Sequence, residues 1–220
     1  MKYLGPSFDI HCGGVDNIFP HHENEIAQSE CCTGKQFVKY WLHCAHLVVE
    51  GRKMSKSLGN FYTLRDLTAQ GKDPLAIRWV LLATHYRQPN NFSFDALDAA
   101  KNSLDRIRDF RLRLGELAGP APVTAASSNI TPIPPISPIY PLITTCETAF
   151  TACLDDDLNI SGALGAVFDF IRETNKLLDE RAITPEGAHA ALALLDRLNT
   201  VTGILSPKTT EEVPQHILDQ

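Results

Sequence analysis

Two lysines placed three residues apart give the clearest chemical signal in this sequence. Lys53 and Lys56 belong to the run KMSKS at residues 53–57, which lies between an apolar run and a Gly-Asn pair at residues 59–60. Two ammonium groups on a loop with little apolar surface can close on a polyphosphate and offset negative charge as a phosphoryl bond breaks. A solvated surface loop is the alternative for a generic Lys-Ser-Lys run.

A Gly-Gly pair and an aspartate follow the first strand-like run. Residues 8–12, FDIHC, are rich in β-formers and predict a buried strand that ends in a tight turn at Gly13 and Gly14. In an open parallel sheet ligands bind beyond the carboxyl ends of strands, so Asp16 is placed for a ribose hydroxyl or an ammonium group. The glycines would let backbone amides approach that ligand closely. A simple turn with an Asx cap is the alternative.

A histidine and a glutamate at helical spacing form a candidate metal pair. Pro20 suits the first position of a helix, and residues 21–28, HHENEIAQ, are good helix formers. His21 and Glu25 therefore lie one turn apart on one face. An imidazole and a carboxylate at this spacing can be two ligands of a tetrahedral zinc ion. A hydrogen-bonded surface pair is the alternative, and the spacing leaves both open.

The elements that position these residues are a short α/β segment followed by helices. Residues 36–50 predict a helix or turn to about residue 41 and then a strand to about residue 49. Asp73 and Pro74 form an N-cap followed by proline at N1, which starts an apolar helix. Further hydrophobic periodicity predicts helices at residues 64–70, 75–83, 94–117, 142–154, 160–182 and 185–204.

The composition limits the classes of function. The chain has 220 residues, 44% of them apolar and 21% charged, and its net charge is −6. These values are typical of a globular protein and give no overall basic footprint for nucleic acid, although a local basic face is compatible with them. The sequence shows no apolar run of membrane-spanning length and no hydrophobic secretory signal. The six cysteines have no CxxC spacing, which favours reduced thiols in a cytoplasmic protein.

Several blocks of the sequence resemble cysteinyl-tRNA synthetases, a family of class I aminoacyl-tRNA synthetases. They are DIHCGGVDNIFPHHENEIAQS at residues 9–29, YWLH at 40–43, KMSKSLGN at 53–60, THYR at 84–87, NFS at 91–93, LDDDLN at 154–159 and NKLLD at 175–179. The KMSKS run matches the class I signature letter for letter, and the block PHHENE is highly specific. The similarity covers nearly the whole chain except residues 118–141.

The resemblance implies a mainly α fold with a partial α/β segment. Residues 1–72 would be the C-terminal part of a Rossmann-type class I catalytic domain. Residues 73–117 and 142–220 would form a helical-bundle region that contacts tRNA, and residues 118–141 would be a proline-rich linker or insert. The implied reaction is ATP-dependent activation of cysteine followed by its transfer to the 3′ end of tRNA-Cys, in the cytoplasm.

The resemblance also implies which residues bind ATP. The ATP would bind together with Mg²⁺. Lys53 and Lys56 would be catalytic, with Lys56 the residue most expected on ATP. The other implied ATP-binding residues are Ser55 on the same loop and the ribose-binding turn of Gly13, Gly14 and Asp16.

The family's active-site zinc is held by two cysteines, a histidine and a glutamate, and the last two correspond to His21 and Glu25. Zinc would bind the thiolate of the substrate cysteine, which serine cannot match. By the resemblance, none of the six cysteines in this chain stands at the position of either cysteine ligand.

The chain departs from the family in lacking the nucleotide-binding half that carries the HIGH motif and both zinc cysteines. We therefore expect a C-terminal portion of the synthetase that is inactive alone. Three alternatives remain: a non-catalytic tRNA-binding module, one half of a split synthetase that assembles with a separate N-terminal piece, and a ligase that joins cysteine to a different amine.

Overall fold

The computed structural model describes residues 2–120 and 137–205. Within these residues it contains seven α-helices and five short β-strands, which confirms the predicted mainly helical fold with a small α/β segment. The chain divides into two compact units. Unit 1 comprises Met1–Thr63 with Thr84–Ser93, and unit 2 comprises Leu64–Ala83 with Phe94–Gln220. None of the described helices is long and apolar enough to cross a membrane.

Unit 1 contains two small sheets. Strands β1 (Phe8–Gly14) and β2 (Val38–Cys44) pair in parallel and are connected by helix α1 (Glu23–Thr33). In the second sheet β3 (Leu47–Val49) lies between the antiparallel strand β4 (Arg52–Lys53) and the parallel strand β5 (Asn90–Phe92). The connection between β1 and β2 is the β-α-β unit that parallel strands require.

Two local predictions in unit 1 were wrong and one was confirmed. The segment predicted as a helix or turn to about residue 41 is strand β2, because its backbone pairs with β1 over residues 38–44. The strand at residues 8–12 is not buried, since Ile10 is 60% exposed on the side of the sheet that nothing among the described residues covers. The helix start predicted at Pro20 is confirmed, because Phe19 is extended and the backbone is helical from Pro20 through one wider turn into α1 (Glu23–Thr33).

Unit 2 is a helical assembly around a single apolar core. Its helices are α2 (Leu64–Ala69), α3 (Pro74–Leu82), α4 (Phe94–Ala118), α5 (Ile139–Asp155), α6 (Ile160–Asp179) and α7 (Pro185–Thr202). The hydrophobic periodicity that predicts α4 corresponds to a fully buried apolar stripe, in which Leu104, Ile107, Phe110 and Leu114 are each at most 1% exposed. Periodicity of this kind positions a helix against a core, so these four side chains anchor α4 within the unit.

The helix boundaries agree with the predictions to within a few residues. The largest differences are at α5, which begins at Ile139 rather than at residue 142, and at α6, which ends at Asp179 rather than at residue 182. The predicted linker at residues 118–141 therefore loses its last three residues to α5 and its first to α4. Residues 121–136 of that linker lie outside the described residues.

Asp73 joins the start of α3 to α4. Its carboxylate accepts a hydrogen bond of 2.8 Å from the backbone N–H of Leu75, which makes it the N-cap, and one of 3.0 Å from the guanidinium of Arg108. Partial burial opposes ionisation of Asp73, but the hydrogen bonds from Arg108 and Leu75 outweigh it, so the pKa of Asp73 is lowered. The charged carboxylate is thus favoured by the fold, and its contribution to stability is lost as the pH falls through that lowered pKa.

We expect Asp73→Ala to lower the free energy of unfolding by about 1–2 kcal/mol at neutral pH, because it removes both the cap and the ion pair. Asp73→Asn keeps a capping oxygen and should lose less. Urea unfolding followed by circular dichroism measures both. Asp109→Ala, an exposed change on α4, is the control. The loss for Asp73→Ala should shrink in acid as the carboxylate protonates, and a loss that is unchanged at low pH would contradict this explanation.

Candidate active site

The centre of the candidate site is the carboxylate of Glu25, in the first turn of α1. Its Oε2 lies 2.7 Å from Nε2 of His11 on β1, and its Oε1 lies 2.9 Å from Nε2 of His21. The contact with His21 is the one-turn spacing that the sequence predicts. The contact with His11 spans 14 residues of sequence, so spacing could not reveal it. One carboxylate therefore holds two imidazoles that belong to different elements.

The surroundings of Glu25 keep it ionised. Partial burial opposes ionisation, but the hydrogen bond from His11 and the charges of the neighbouring histidines outweigh this effect, and the pKa of Glu25 is lowered. The side chain of Glu25 is 32% exposed and that of His11 is 28% exposed, whereas His21 is 64% exposed. The site is therefore an anionic carboxylate flanked by one sheltered and one exposed imidazole.

A second layer of rings lies behind Glu25. His22 is only 4% exposed, and its Nδ1 lies 2.8 Å from Nε2 of His43 on β2. The ring of Trp41 lies 4.8 Å from the ring centroids of both His11 and His22. Burial disfavours protonation of His22, and positive charge on His11 adds to this effect, so the pKa of His22 is lowered.

Sequence reasoning missed His11, His22 and His43 as members of the site. The pattern that could have revealed His11 and His43 is the alternation of side chains along a strand, because residues two apart lie on the same face of the sheet. In the observed register His11 is opposite Trp41 and Gly13 is opposite His43, so both histidines lie on one face of the sheet. That signal depended on recognising β2, which was predicted as a helix or turn.

Gly13 and Gly14 occupy crowded positions at the end of β1. A Cβ on Gly13 would lie 2.6 Å from Cε1 of His22 and 3.1 Å from the side-chain nitrogen Nδ2 of Asn17. A Cβ on Gly14 would collide with the carboxylate of Asp16, which is exposed in the following 3₁₀ turn. These glycines therefore make room for His22 and Asp16, which is a structural requirement in addition to the backbone approach predicted from the sequence.

The loop that carries the two lysines is organised by Asn60. Its side chain accepts a hydrogen bond of 2.9 Å from the backbone N–H of Ser55 and donates one of 3.1 Å to the carbonyl of Lys53. Ser55 caps a short 3₁₀ turn at Lys56–Leu58 by accepting from the N–H of Ser57. The loop is thus held at its base, while its lysines lie on its surface.

Both lysines are exposed and carry no ion pair within the described residues. Lys53 lies on β4, and the ammonium of Lys56 lies 5.4 Å from the ring centroid of Phe61. The structure brings His21 together with Glu25, and Asp16 together with Gly14. No hydrogen bond or ion pair in the described part of the chain joins the lysine loop to the histidine cluster.

A group of three potential metal ligands converges at this site. His11, His22 and Glu25 each offer one ligand atom, and these three atoms lie within 4.8 Å of one another. Among the described residues, no other group of three or more His, Cys, Asp or Glu side chains converges in this way. His21 contacts the other carboxylate oxygen of Glu25, Oε1, and is not part of that group. Imidazole nitrogens and a carboxylate oxygen form a donor set that zinc binds in proteins.

Comparison with known protein families matches both units of the chain. The family model described as the class I (C) tRNA synthetase catalytic domain matches residues 1–102. The family model described as the DALR domain matches residues 149–206. The lysine loop and the histidine cluster both fall within the first match.

Curated relatives match over nearly the whole of this chain. A cysteine–tRNA ligase of Chlamydia felis is 46% identical over 99% of this chain and 44% of its own length. One of Protochlamydia amoebophila is 44% identical over 97% of this chain and 42% of its own length. The chain therefore spans less than half the length of these relatives.

A solved structure shares the fold. The LeuRS of Agrobacterium radiobacter K84, crystallised in a ternary complex with tRNA and LeuAMS, matches 86% of this chain and 25% of its own chain, with a TM-score of 0.63 and 20% identity. This likeness shows the fold alone. Together with the relatives, it confirms the resemblance drawn from the sequence blocks and the class I fold that it implies. Over nearly its whole length the chain is thus a homologue of part of the cysteine–tRNA ligases, and its first 102 residues match the class I tRNA synthetase catalytic domain.

Proposed function

We propose that this chain provides the lysine loop, part of the metal site and the helical region of a cysteine–tRNA ligase. The enzyme would activate cysteine with ATP and transfer it to tRNA-Cys in the cytoplasm. The observation that carries the proposal is identity of 44–46% to cysteine–tRNA ligases across 97–99% of the chain. Because these relatives are more than twice as long, the complete reaction is proposed for an assembly that includes the remaining part.

In this proposal Lys53, Ser55 and Lys56 act on the polyphosphate of ATP. The two ammonium groups are exposed and without acidic partners in the described structure, so they are available to an anionic ligand. Preorganised cations stabilise the charge that develops as the bond between the α- and β-phosphates breaks. Mg²⁺ would accompany the nucleotide. The cation–π contact with Phe61 holds Lys56 only weakly, because such contacts contribute about 0.5–1 kcal/mol at exposed sites.

The ribose of ATP would bind at the end of β1. Asp16 is exposed, and its carboxylate can accept hydrogen bonds from ribose hydroxyls. Gly13 and Gly14 leave the backbone accessible at the carboxyl end of a parallel strand, which is the usual position of ligands in open α/β sheets. Gly13 also makes room for His22 and Gly14 for Asp16, so this proposal gives each glycine two roles.

His21 and Glu25 would hold zinc together with two cysteines supplied by the remaining part of the enzyme. The donor set fits, because the two side chains already meet at 2.9 Å and Glu25 is ionised. Bound zinc would coordinate the substrate thiol and so discriminate cysteine from serine. Within this chain, Glu25 supplies the negative charge and orients His21, while His11 fixes the other carboxylate oxygen.

The exposed side of the β1–β2 sheet supports the need for a complementary part. Ile10 and Tyr40 are directly paired in register and are 60% and 69% exposed. A parallel sheet is normally covered on both faces, and two strands alone are marginally stable. We therefore propose that residues 1–220 do not activate cysteine by themselves. A non-catalytic tRNA-binding module is the second candidate, because unit 2 has its own core and matches the DALR domain.

The proposal can be tested with a chimera in which this chain replaces the matching 44% of the Chlamydia felis ligase. Cysteine-dependent ATP–pyrophosphate exchange should appear in the chimera and not in the isolated chain. Lys56→Ala should lower the exchange rate about 10²–10³-fold, because it removes a charge that acts in the transition state. Lys35→Ala, an exposed lysine in unit 1, is the control and should leave the rate nearly unchanged.

Two results would contradict the proposal. Exchange by the isolated chain would show that the complementary part is not required. An inactive chimera that still binds tRNA, with affinity that falls as salt rises, would favour the tRNA-binding module.

A second prediction concerns the base of the lysine loop. Asn60→Ala removes one acceptor and two donor contacts, so hydrogen exchange at the backbone amide of Ser55 should become faster. Asn60→Asp keeps the acceptor for that amide and should protect it better than alanine does. Amide exchange followed by mass spectrometry or NMR measures this, and equal protection in Asn60→Ala and the unchanged chain would show that Asn60 does not hold the loop.

A further inference from the structure

We propose that Asn91 is a positioning residue for Lys53, which it places through the β-hairpin that carries this lysine. The hairpin is formed by β3 and β4 and turns at Glu50 and Gly51. Asn91 lies on the neighbouring strand β5 and begins the sequence block NFS, to which the proposed function gives no role. The inference rests on the proposed function, because Lys53 acts in the reaction proposed above.

The turn of this hairpin has an uncommon backbone conformation. Val49 pairs with Arg52, so the loop consists of Glu50 and Gly51 alone, and their φ angles are 49° and 70°. Positive φ at both positions of a two-residue loop matches a type I′ turn, whose twist fits the two strands of a hairpin. Glycine adopts this conformation readily, whereas glutamate seldom does. The turn therefore depends on contacts that hold Glu50 in place.

Strand β5 holds both backbone amides of the turn. The N–H of Glu50 donates a hydrogen bond of 3.0 Å to the backbone carbonyl of Phe92, and the N–H of Gly51 donates one of 2.8 Å to Oδ1 of Asn91. The first bond uses a backbone carbonyl, which every type of residue offers. The second bond needs a side-chain acceptor, so it depends on the identity of residue 91.

Burial does not explain an asparagine at this position. Asn91 is exposed, whereas its neighbour Phe92 is 5% exposed and belongs to the core. The hydrogen bond to Gly51 connects residues that are 40 positions apart in the sequence. A substitution of Asn91 therefore removes a specific contact with the hairpin and leaves the apolar core intact.

The pairing of the strands connects Asn91 to Lys53. Val48 lies in the centre of the sheet and pairs with Asn91 on one side and with Lys53 on the other. Gly51 comes two residues before Lys53, so a shift of the turn is passed along β4 to the lysine. Cations stabilise a transition state when they are preorganised, and a displacement of about 1 Å can lower a rate about 100-fold. Asn60 holds the chain after Lys53, and Asn91 holds the turn before it.

The first test measures the contact in the full chain, without the reaction. Asn91→Leu keeps the size of the side chain and removes its acceptor, so hydrogen exchange at the Gly51 amide, followed by NMR, should become about tenfold faster. Asn91→Asp keeps an acceptor and should preserve the protection of this amide. Asn102→Leu makes the same change at an exposed position of α4 and should leave it unaffected. Equal hydrogen exchange in Asn91→Leu and the unchanged chain would overturn the inference.

The second test uses the chimera with the Chlamydia felis ligase. In cysteine-dependent ATP–pyrophosphate exchange, Asn91→Leu should lower kcat about tenfold and leave KM for cysteine nearly unchanged, because it affects the transition state rather than amino-acid binding. Asn91→Asp should restore most of the rate. When Lys53→Ala is already present, Asn91→Leu should have little further effect, since Asn91 acts through that lysine.

Two kinds of failure can be told apart. An unchanged kcat in Asn91→Leu, or an equal loss with and without Lys53→Ala, would overturn the inference and leave the proposed function intact. A chimera of unchanged sequence without any ATP–pyrophosphate exchange would overturn the proposed function, and the role of Asn91 in the reaction with it.

Discussion

The carboxylate of Glu25 is the interaction on which the candidate site depends. Its two oxygens hold His11 from a strand and His21 from its own helix, at 2.7 and 2.9 Å. Without that carboxylate, His11 and His21 would lose the hydrogen-bond partner that they share. The lowered pKa of Glu25 follows from these contacts, and an ionised carboxylate at this place is what a metal ion requires. Parallel pairing of β1 with β2 brings His11 and His43 to the same face and so completes the cluster.

The local predictions that succeeded rest on contacts between residues close in sequence. The Asp73–Pro74 helix start, the apolar stripe of α4 and the spacing of His21 and Glu25 all follow from one helical turn or one cap. Such features are determined by backbone geometry, so a single sequence is sufficient to predict them.

The predictions that failed depend on partners distant in sequence. Strand β2 has aromatic residues that fit a helix or a strand, and only its pairing with β1 decides between them. The exposure of Ile10 depends on which elements cover the sheet, which no local pattern reveals. For the same reason His11, His22 and His43 were missed, because their contacts cross 14 and 21 residues of sequence. The family resemblance indicated His21 and Glu25, but the additional histidines emerged only from the folded arrangement.

Glu25 also offers the most direct test of the account. Glu25→Gln in the chimera with the Chlamydia felis ligase preserves the size of the side chain and removes its charge. Cysteine-dependent ATP–pyrophosphate exchange and zinc content should be measured on the same preparation. Both should fall together, with exchange reduced about 100-fold or more, since each depends on an anionic ligand. A Glu25→Gln chimera that keeps its zinc and its exchange rate would contradict the central place of this carboxylate.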